Sequence, residues 1–400
     1  MNTSMIVYRL FDVADEINLD LVQALWTSRN KIASRLRLDR ISTKSITFKD
    51  PPVLVELGSH EMELGGKTYL AEIKARIFDL GVISLIIRIP FEDDVTYDEY
   101  LDMAIVSENM PEDEIHHYLD AVLETIRPAC SNERVSDFDE DFVVYYFKEN
   151  IPDWDLVPLL LKDRTPVSEQ TRRETLENRF SYADDITYLA WDSAVVYDQS
   201  GSLDVPDLLE FANAQFLELR YYDNALNNAI DKTYDELEEA NMTSKATRLE
   251  SYRQIRGNLM ELMADVSSLT SNINNALQVT EDIFYARIYT RYLSLLRASV
   301  WKDNIENKIH VIQRSYTLLN EEVSMYRFEL LGLFAMAELS LNVPVGIRIF
   351  LLSKHYKRPR QLHAHQVYSP LPINPLADSV KVQHVERKSS PQSYRLLTSQ

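Results

Sequence analysis

The sequence predicts an α+β fold. An N-terminal head of mixed elements on an antiparallel sheet precedes a long-helix antiparallel, coiled-coil-like bundle and a disordered tail. Three observations predict it. Short β-type runs separated by turn residues fill the first half. A linker-like stretch at 198–204 (DQSGSLD) separates that half from the next. Beyond it the apolar period changes from that of strands to 3.5 residues, the seam of packed helices.

Taken in order, 5–11 (MIVYRLF) reads as a strand and 19–26 as a helical segment behind it. Residues 53–57, 68–78 and 82–90 read as a meander, punctuated by Gly58, Gly65-Gly66 and Leu80-Gly81. The run 82–89 (VISLIIRI) is nearly continuous in apolar residues, as a central strand should be, and the short spacers require hairpins rather than crossovers. Residues 97–106 and 112–126 have helical spacing, the second stopped by Pro128. Strand character returns at 142–147 and 186–197, with a polar stretch at 162–177 between them for which Ser168 offers an N-cap. The head is therefore assigned to 1–200.

A helical bundle is assigned to 206–340. Its first helix, 208–237, carries Ala212, Leu219, Tyr222, Leu226 and Ala229 on one stripe. After a break at 241–244, Ile255, Leu259, Leu262, Val266, Leu269, Ile273, Ala276, Thr280 and Ile283 recur at alternating gaps of four and three. After a second break near 299–304, Ile305, Ile309, Ile312, Tyr316, Leu319, Val323, Tyr326, Leu330, Leu333 and Ala337 repeat the same alternation. Such seams need an apolar partner, either within an intramolecular three-helix bundle or on another chain. Tyr221, Tyr222, Tyr285, Tyr289 and Tyr292 lie at helical spacing and read as packing residues.

An apolar segment, 341–352, continues the last helix. Together with 330–340 it is long enough to cross a bilayer, and Lys354, Lys357, Arg358 and Arg360 follow it. Glu338, Asn342, Pro344 and Arg348 oppose insertion, and Pro344-Val-Gly346 should break the helix. The expected place for this segment is a buried bundle end. Residues 353–400, rich in proline and basic, read as a disordered tail.

The chain has 400 residues, 45 % hydrophobic and 10 % aromatic, enough for a sizeable core. Its eight glycines suit long helices and argue against glycine-rich phosphate loops. The net charge is −20. After Leu352 there are eight Lys/Arg against two acids, so the tail is +6 and the remainder −26. A surface that acidic repels phosphate backbones, so the body is not expected to bind nucleic acid. The single cysteine, Cys130, and the lack of a basic-then-apolar opening lead to an expectation of a cytoplasmic protein, with membrane association through 330–360 as the alternative.

The motifs that could carry chemistry are weak. His116 and His117 are adjacent on a helix and point to different faces. His355, His363 and His365 could hold zinc only adventitiously. Asp137, Asp139 and Asp141 have the opening spacing of a calcium loop, but Phe142 and Lys148 stand where its glycine and closing glutamate belong. Glu92-Asp93-Asp94 and Asp184-Asp185 could bind magnesium at strand ends, although no phosphate loop accompanies them. Cys130 lacks a visible base. No catalytic, cofactor or metal residue is assigned.

Three segments carry a family resemblance: 7–19 (VYRLFDVADEINL), 78–85 (FDLGVISL), and 307–323 (NKIHVIQRSYTLLNEEV) followed by 327–331 (RFELL). They resemble, in order, the initial strand, core strand and terminal long helix of the YagE-type family. That resemblance implies a membrane-spanning terminal helix, from which Glu338, Pro344 and Arg348 depart. It carries over no functional residue. The expected function is a non-enzymatic scaffold or assembly protein acting on itself or on a protein partner through the helices. A membrane-associated protein is the second expectation, and a metal-dependent enzyme using carboxylates of the head is the third.

Overall fold

A computed structural model describes the backbone at 3–28, 33–35, 50–91, 95–182, 185–276 and 283–355. In chain order the elements are β1 Thr3–Asp12, β2 Glu16–Ile17, α1 Leu19–Ser28, β3 Ala33–Arg35, β4 Val53–Leu64, β5 Lys67–Ile77, β6 Val82–Phe91, α2 Tyr97–Val106, α3 Glu112–Ile126, β7 Cys130–Ser131 and β8 Asp139–Phe147. There follow α4 Leu156–Leu161, α5 Glu169–Glu177, β9 Arg179–Phe180, β10 Asp185–Leu189, β11 Ser193–Asp198, α6 Asp204–Asn241, α7 Lys245–Ala276, α8 Ile283–Leu295 and α9 Ala298–His355. The fold is α+β. Two units are distinguished, Met1–Leu331 and Gly332–Gln400.

In the first unit a nine-stranded sheet runs in the order β3-β4-β5-β6-β1-β8-β11-β10-β9. All its pairs are antiparallel except β8 with β11, which are parallel. The segment with strand character at 186–197 is a hairpin, β10 and β11, turned at Ala190–Asp192. β1 is central, and its alternation explains why. Met5, Val7 and Phe11 join one core with α1, α2 and α3. Ile6, Tyr8 and Leu10 join a second core with α6 and α8. A strand buried on both faces needs an unbroken apolar run, which MIVYRLF supplies in all but Arg9.

Local signals fix the ends of the elements. Thr96 and Glu99 form a reciprocal capping box at the start of α2, while Asp155 and Ser168 cap α4 and α5. Gly81 turns β5 into β6 at φ +95°, where a Cβ would lie 1.9 Å from the Ala14 carbonyl oxygen. Only glycine fits there.

The first half of α6 is buried on nearly every side, from Val205 to Leu219. Bundle and sheet are therefore continuous in packing within the first unit, joined by the turn at 198–203 and not by a spacer. α8 is a separate helix that turns Phe284, Tyr285, Ile288, Tyr289 and Tyr292 onto the second core. The four-three register read through Ile283 thus ends on an element that packs against the sheet. The break expected near 299–304 falls at Arg297, which adopts φ +53°, and α9 begins one residue later. The backbone of α9 continues through Pro344 to His355, so the proline does not end the helix. The tail assigned to 353–400 lies outside the described residues from 356 onward.

Candidate assembly interface

α6, α7 and α9 close on one another. Leu219, Tyr222, Leu226, Ala240, Tyr252, Ile255, Leu259, Ile305, Ile312, Leu319 and Val323 form their shared core. Of the seam residues, Ile255, Leu259, Ile305, Ile312, Leu319 and Val323 are buried in it. Leu262, Ile309 and Tyr316 are half-buried against it. The side chains of Val266, Leu269 and Ile273 lie outside the described residues. Polar contacts fix the register: Lys308 binds the Asp223 backbone carbonyl at 3.0 Å, Arg256 donates to Asn320 at 3.0 Å, and the Lys245 ammonium lies 5.7 Å from the Tyr326 ring. The intramolecular partner buries the α9 seam from Ile305 to Val323, whereas Leu330 and Leu333 of the same repeat are exposed.

Other apolar residues of α9 are exposed as well. Val311, Leu318 and Met325 are exposed at steps of seven residues, a second row on the outer face of the same helix. At the end of the first unit Phe328 (75 % exposed), Leu330 and Leu331 join them. In the second unit Leu333, Phe334, Met336 and Leu339 are exposed on the same helix. At about 100° per residue, each of these sets spreads around the helix axis instead of forming one stripe. A helix that is apolar all round is stable in water only when something covers it. The seven-residue row was legible in principle, but the seam residues between its members mask it. Among the described residues no helix is long and apolar enough to cross a membrane.

Two buried polar joints tie α6 to the sheet. Arg76 of β5 pairs with Asp207, at 2.9 Å, and with Glu210. Burial pushes the Glu210 carboxyl up to about 7 although Arg76 pulls it down and the neighbouring Asp207 adds to the rise. At the end of β1, Asp12 has no exposed side-chain surface and faces Arg134 at 3.3 Å. Burial pushes its carboxyl up to about 7 against the Arg134 guanidinium. Arg134 also pairs with Asp15 and lies 4.0 Å over the Tyr221 ring. Glu218 is buried beside this group with neither carboxylate oxygen hydrogen-bonded, and burial raises it well above the usual range, reinforced by the Asp12 charge.

The motifs considered for chemistry stay apart. His116 lies against Phe11 and His117 against Tyr118. The Cys130 thiol is pushed up to about 11, mainly by burial, which makes it a poor nucleophile. Asp139 is paired with Arg9, Asp141 lies 3.9 Å from Lys162, and Asp185 accepts from the Tyr182 amide. Glu92, Asp93, Asp94, Asp184, His363 and His365 lie outside the described residues. Among those described, no group of three or more His, Cys, Asp or Glu is placed to hold a metal ion.

A layered α+β head is continuous in packing with a closed helical bundle, and apolar side chains of α9 between 325 and 331 are exposed. Residues 2–204, half of the chain, match the family model described as uncharacterized protein MJ0711, N-terminal domain, and the chain belongs to that family. The match stops where α6 begins, so it covers the head. A curated relative, uncharacterized protein MJ0711 of Methanocaldococcus jannaschii, is 25 % identical over 180 residues, covering 43 % of this chain and 52 % of the relative. The chain thus matches about half the length of that relative. No solved structure matches.

The family match overturns the resemblance to the YagE-type family, for which neither comparison gives support. The segments behind that resemblance are β1 with its exit, the Gly81 turn into β6, and a seam helix. Any central strand, glycine turn or heptad helix draws on the same residue types, so their likeness is structural grammar rather than descent.

Proposed function

We propose that the protein is a non-enzymatic assembly protein that engages another protein surface, a second copy of itself or a partner, through the uncovered apolar end of α9. One observation carries this reading: Met325, Phe328, Leu330 and Leu331 are exposed on a helix whose seam is buried internally only from Ile305 to Val323. Four such side chains within seven residues of the first unit stand closer together than the singly scattered apolar residues of an ordinary monomer surface. The head supplies an acidic body that keeps the assembly soluble and limits non-specific contact with polyanions.

A second reading, contact with a membrane surface through 330–360, is favoured by a separate feature. The side chains between 328 and 339 surround the helix instead of forming one seam, and four basic residues follow between 354 and 360. Light scattering of the full chain beside a chain ending at residue 324, with vesicle flotation on anionic lipid, separates the two. Oligomers or partner complexes lost on truncation support assembly; flotation lost on truncation supports the membrane reading. A monomer that neither binds a partner nor floats retires both.

A further inference from the structure

Many of the arginines in this acidic chain have a carboxylate partner. Arg9, Arg35, Arg76, Arg127, Arg134, Arg164, Arg172, Arg220 and Arg253 each have one within 4 Å. Among the described arginines without one, which include Arg88, Arg173, Arg179, Arg248 and Arg256, Arg287 and Arg291 stand one helical turn apart on the same face of α8. Both line an open groove of about 590 Å³ between α8 and β9, together with Phe180, Ile283, Thr290 and Ser294.

These two arginines are also held in place. The Arg287 guanidinium lies 5.9 Å from the Phe180 ring centroid. Arg291 donates from Nε to Oδ1 of the buried Asn178 at 2.6 Å, and that bond is made through a nitrogen that leaves both terminal nitrogens of the fork available. The opposite face of α8 is anchored: the hydroxyl of Tyr285 donates to Asp204 at 3.0 Å and that of Tyr292 to Asn213 at 3.1 Å. The cationic face is thus presented on a rigid element, with side chains oriented by neighbours that carry no charge.

We infer that the groove between α8 and β9 is a binding site for a phosphate-bearing ligand, gripped by Arg287 and Arg291 with Thr290 and Ser294 beside them. Guanidinium forks match the oxygens of phosphate two at a time, and hydroxyls add donors to the remaining oxygens. The groove is open to solvent, so it sets no upper limit on the size of the phosphate-bearing ligand. Net negative charge elsewhere on the body makes this a local exception to its repulsion of polyanions. The inference does not depend on the α9 reading.

The test is isothermal titration of the full chain at low ionic strength with ATP and with inorganic phosphate, alongside flotation with vesicles carrying a phosphoinositide. The expected result is saturable binding that weakens at least tenfold in the Arg287→Ala/Arg291→Ala double variant and is unchanged in Arg253→Ala. Should the double variant lose its circular dichroism signal, Arg291→Lys, which keeps the charge and removes the fork, must still weaken binding. Binding of ATP identifies a free phosphate compound as the ligand type, and binding of vesicles alone identifies a lipid headgroup. Absence of binding to all three probes, or binding that the arginine variants leave intact, overturns the inference.

Discussion

Arg76 of β5 stands 2.9 Å from Asp207 on α6, and the same terminal guanidinium nitrogen also pairs with the buried Glu210. This is the point at which the head grips the helical half. Removing the cation leaves two buried carboxylates facing each other. Arg76→Ala is expected to cost about 3–5 kcal/mol, the range for breaking a buried pair. Urea denaturation measures it. Replacing Arg76, Asp207 and Glu210 together by apolar residues of similar volume should recover most of the loss, because no charge is then stranded.

The two joints together predict a pH dependence opposite in sign to that of an ordinary surface carboxylate. Asp12 and Glu210 are raised to about 7, and Glu218 well above its usual range, so the folded chain keeps protons that the unfolded chain releases near pH 4. Their contribution is fully present below about pH 4 and is lost as pH rises through about 7. Glu218→Gln mimics the protonated form. It should leave Tm unchanged at pH 5 and raise it at pH 8. Equal Tm values for the two proteins at pH 8 would show that Glu218 is already ionised in the fold.

These joints also mark where the sequence stops being legible. The meander, the helices of the head and the seams could be read because each is a local pattern: an apolar run, a cap, a repeat of four and three. Ile305, Ile312, Leu319 and Val323 declare a buried face without reference to anything distant. Glu210, Asn213, Gln215 and Glu218 do the opposite. On a helix they look like a solvated face, yet all four are buried: Glu210 meets Arg76 of β5, Asn213 and Gln215 meet Tyr292 and Tyr289 of α8, and Glu218 lies near Asp12 and Arg134, all from distant parts of the chain. Arg287 and Arg291 were equally silent. A polar stripe on a helix becomes a groove only when β9 lies beside it. The uncovered end of α9 was half legible: the apolar segment was plain, but its expected burial in the bundle required knowing where α6 and α7 end against it.

Gly81 gives a sharper local test. Its φ of +95° is unfavourable for any side chain, and the nearest atom to an added Cβ is backbone, the Ala14 oxygen at 1.9 Å. The same turn is tied by the Val13 amide, which donates to the Gly81 carbonyl at 2.9 Å. Neither strand can retreat without breaking that bond. Gly81→Ala should cost more than the 1–3 kcal/mol or so of a strained φ alone. Gly66, also at positive φ but with open space around it, should lose only the conformational part when replaced by alanine. Denaturation midpoints of the two variants, compared side by side, check the ranking.

The assembly reading makes the most exposed prediction, because it divides residues of one helix into two classes. Leu319 and Val323 are buried in the three-helix core, so Leu319→Ala should destabilise the first unit by about 2–5 kcal/mol and leave any self-association or partner affinity unaltered in the fraction that folds. Phe328 and Leu331 are exposed, so Phe328→Ser with Leu331→Ser should leave the denaturation midpoint within about 0.5 kcal/mol of the parent. The same pair should dissociate the oligomer or partner complex seen by light scattering, since apolar side chains at the centre of an interface carry most of its energy. If instead the serine pair lowers stability while association persists, the end of α9 is covered from within its own chain and the interface lies elsewhere. The stability and association arms read different quantities, so a folding defect cannot be taken for a lost contact.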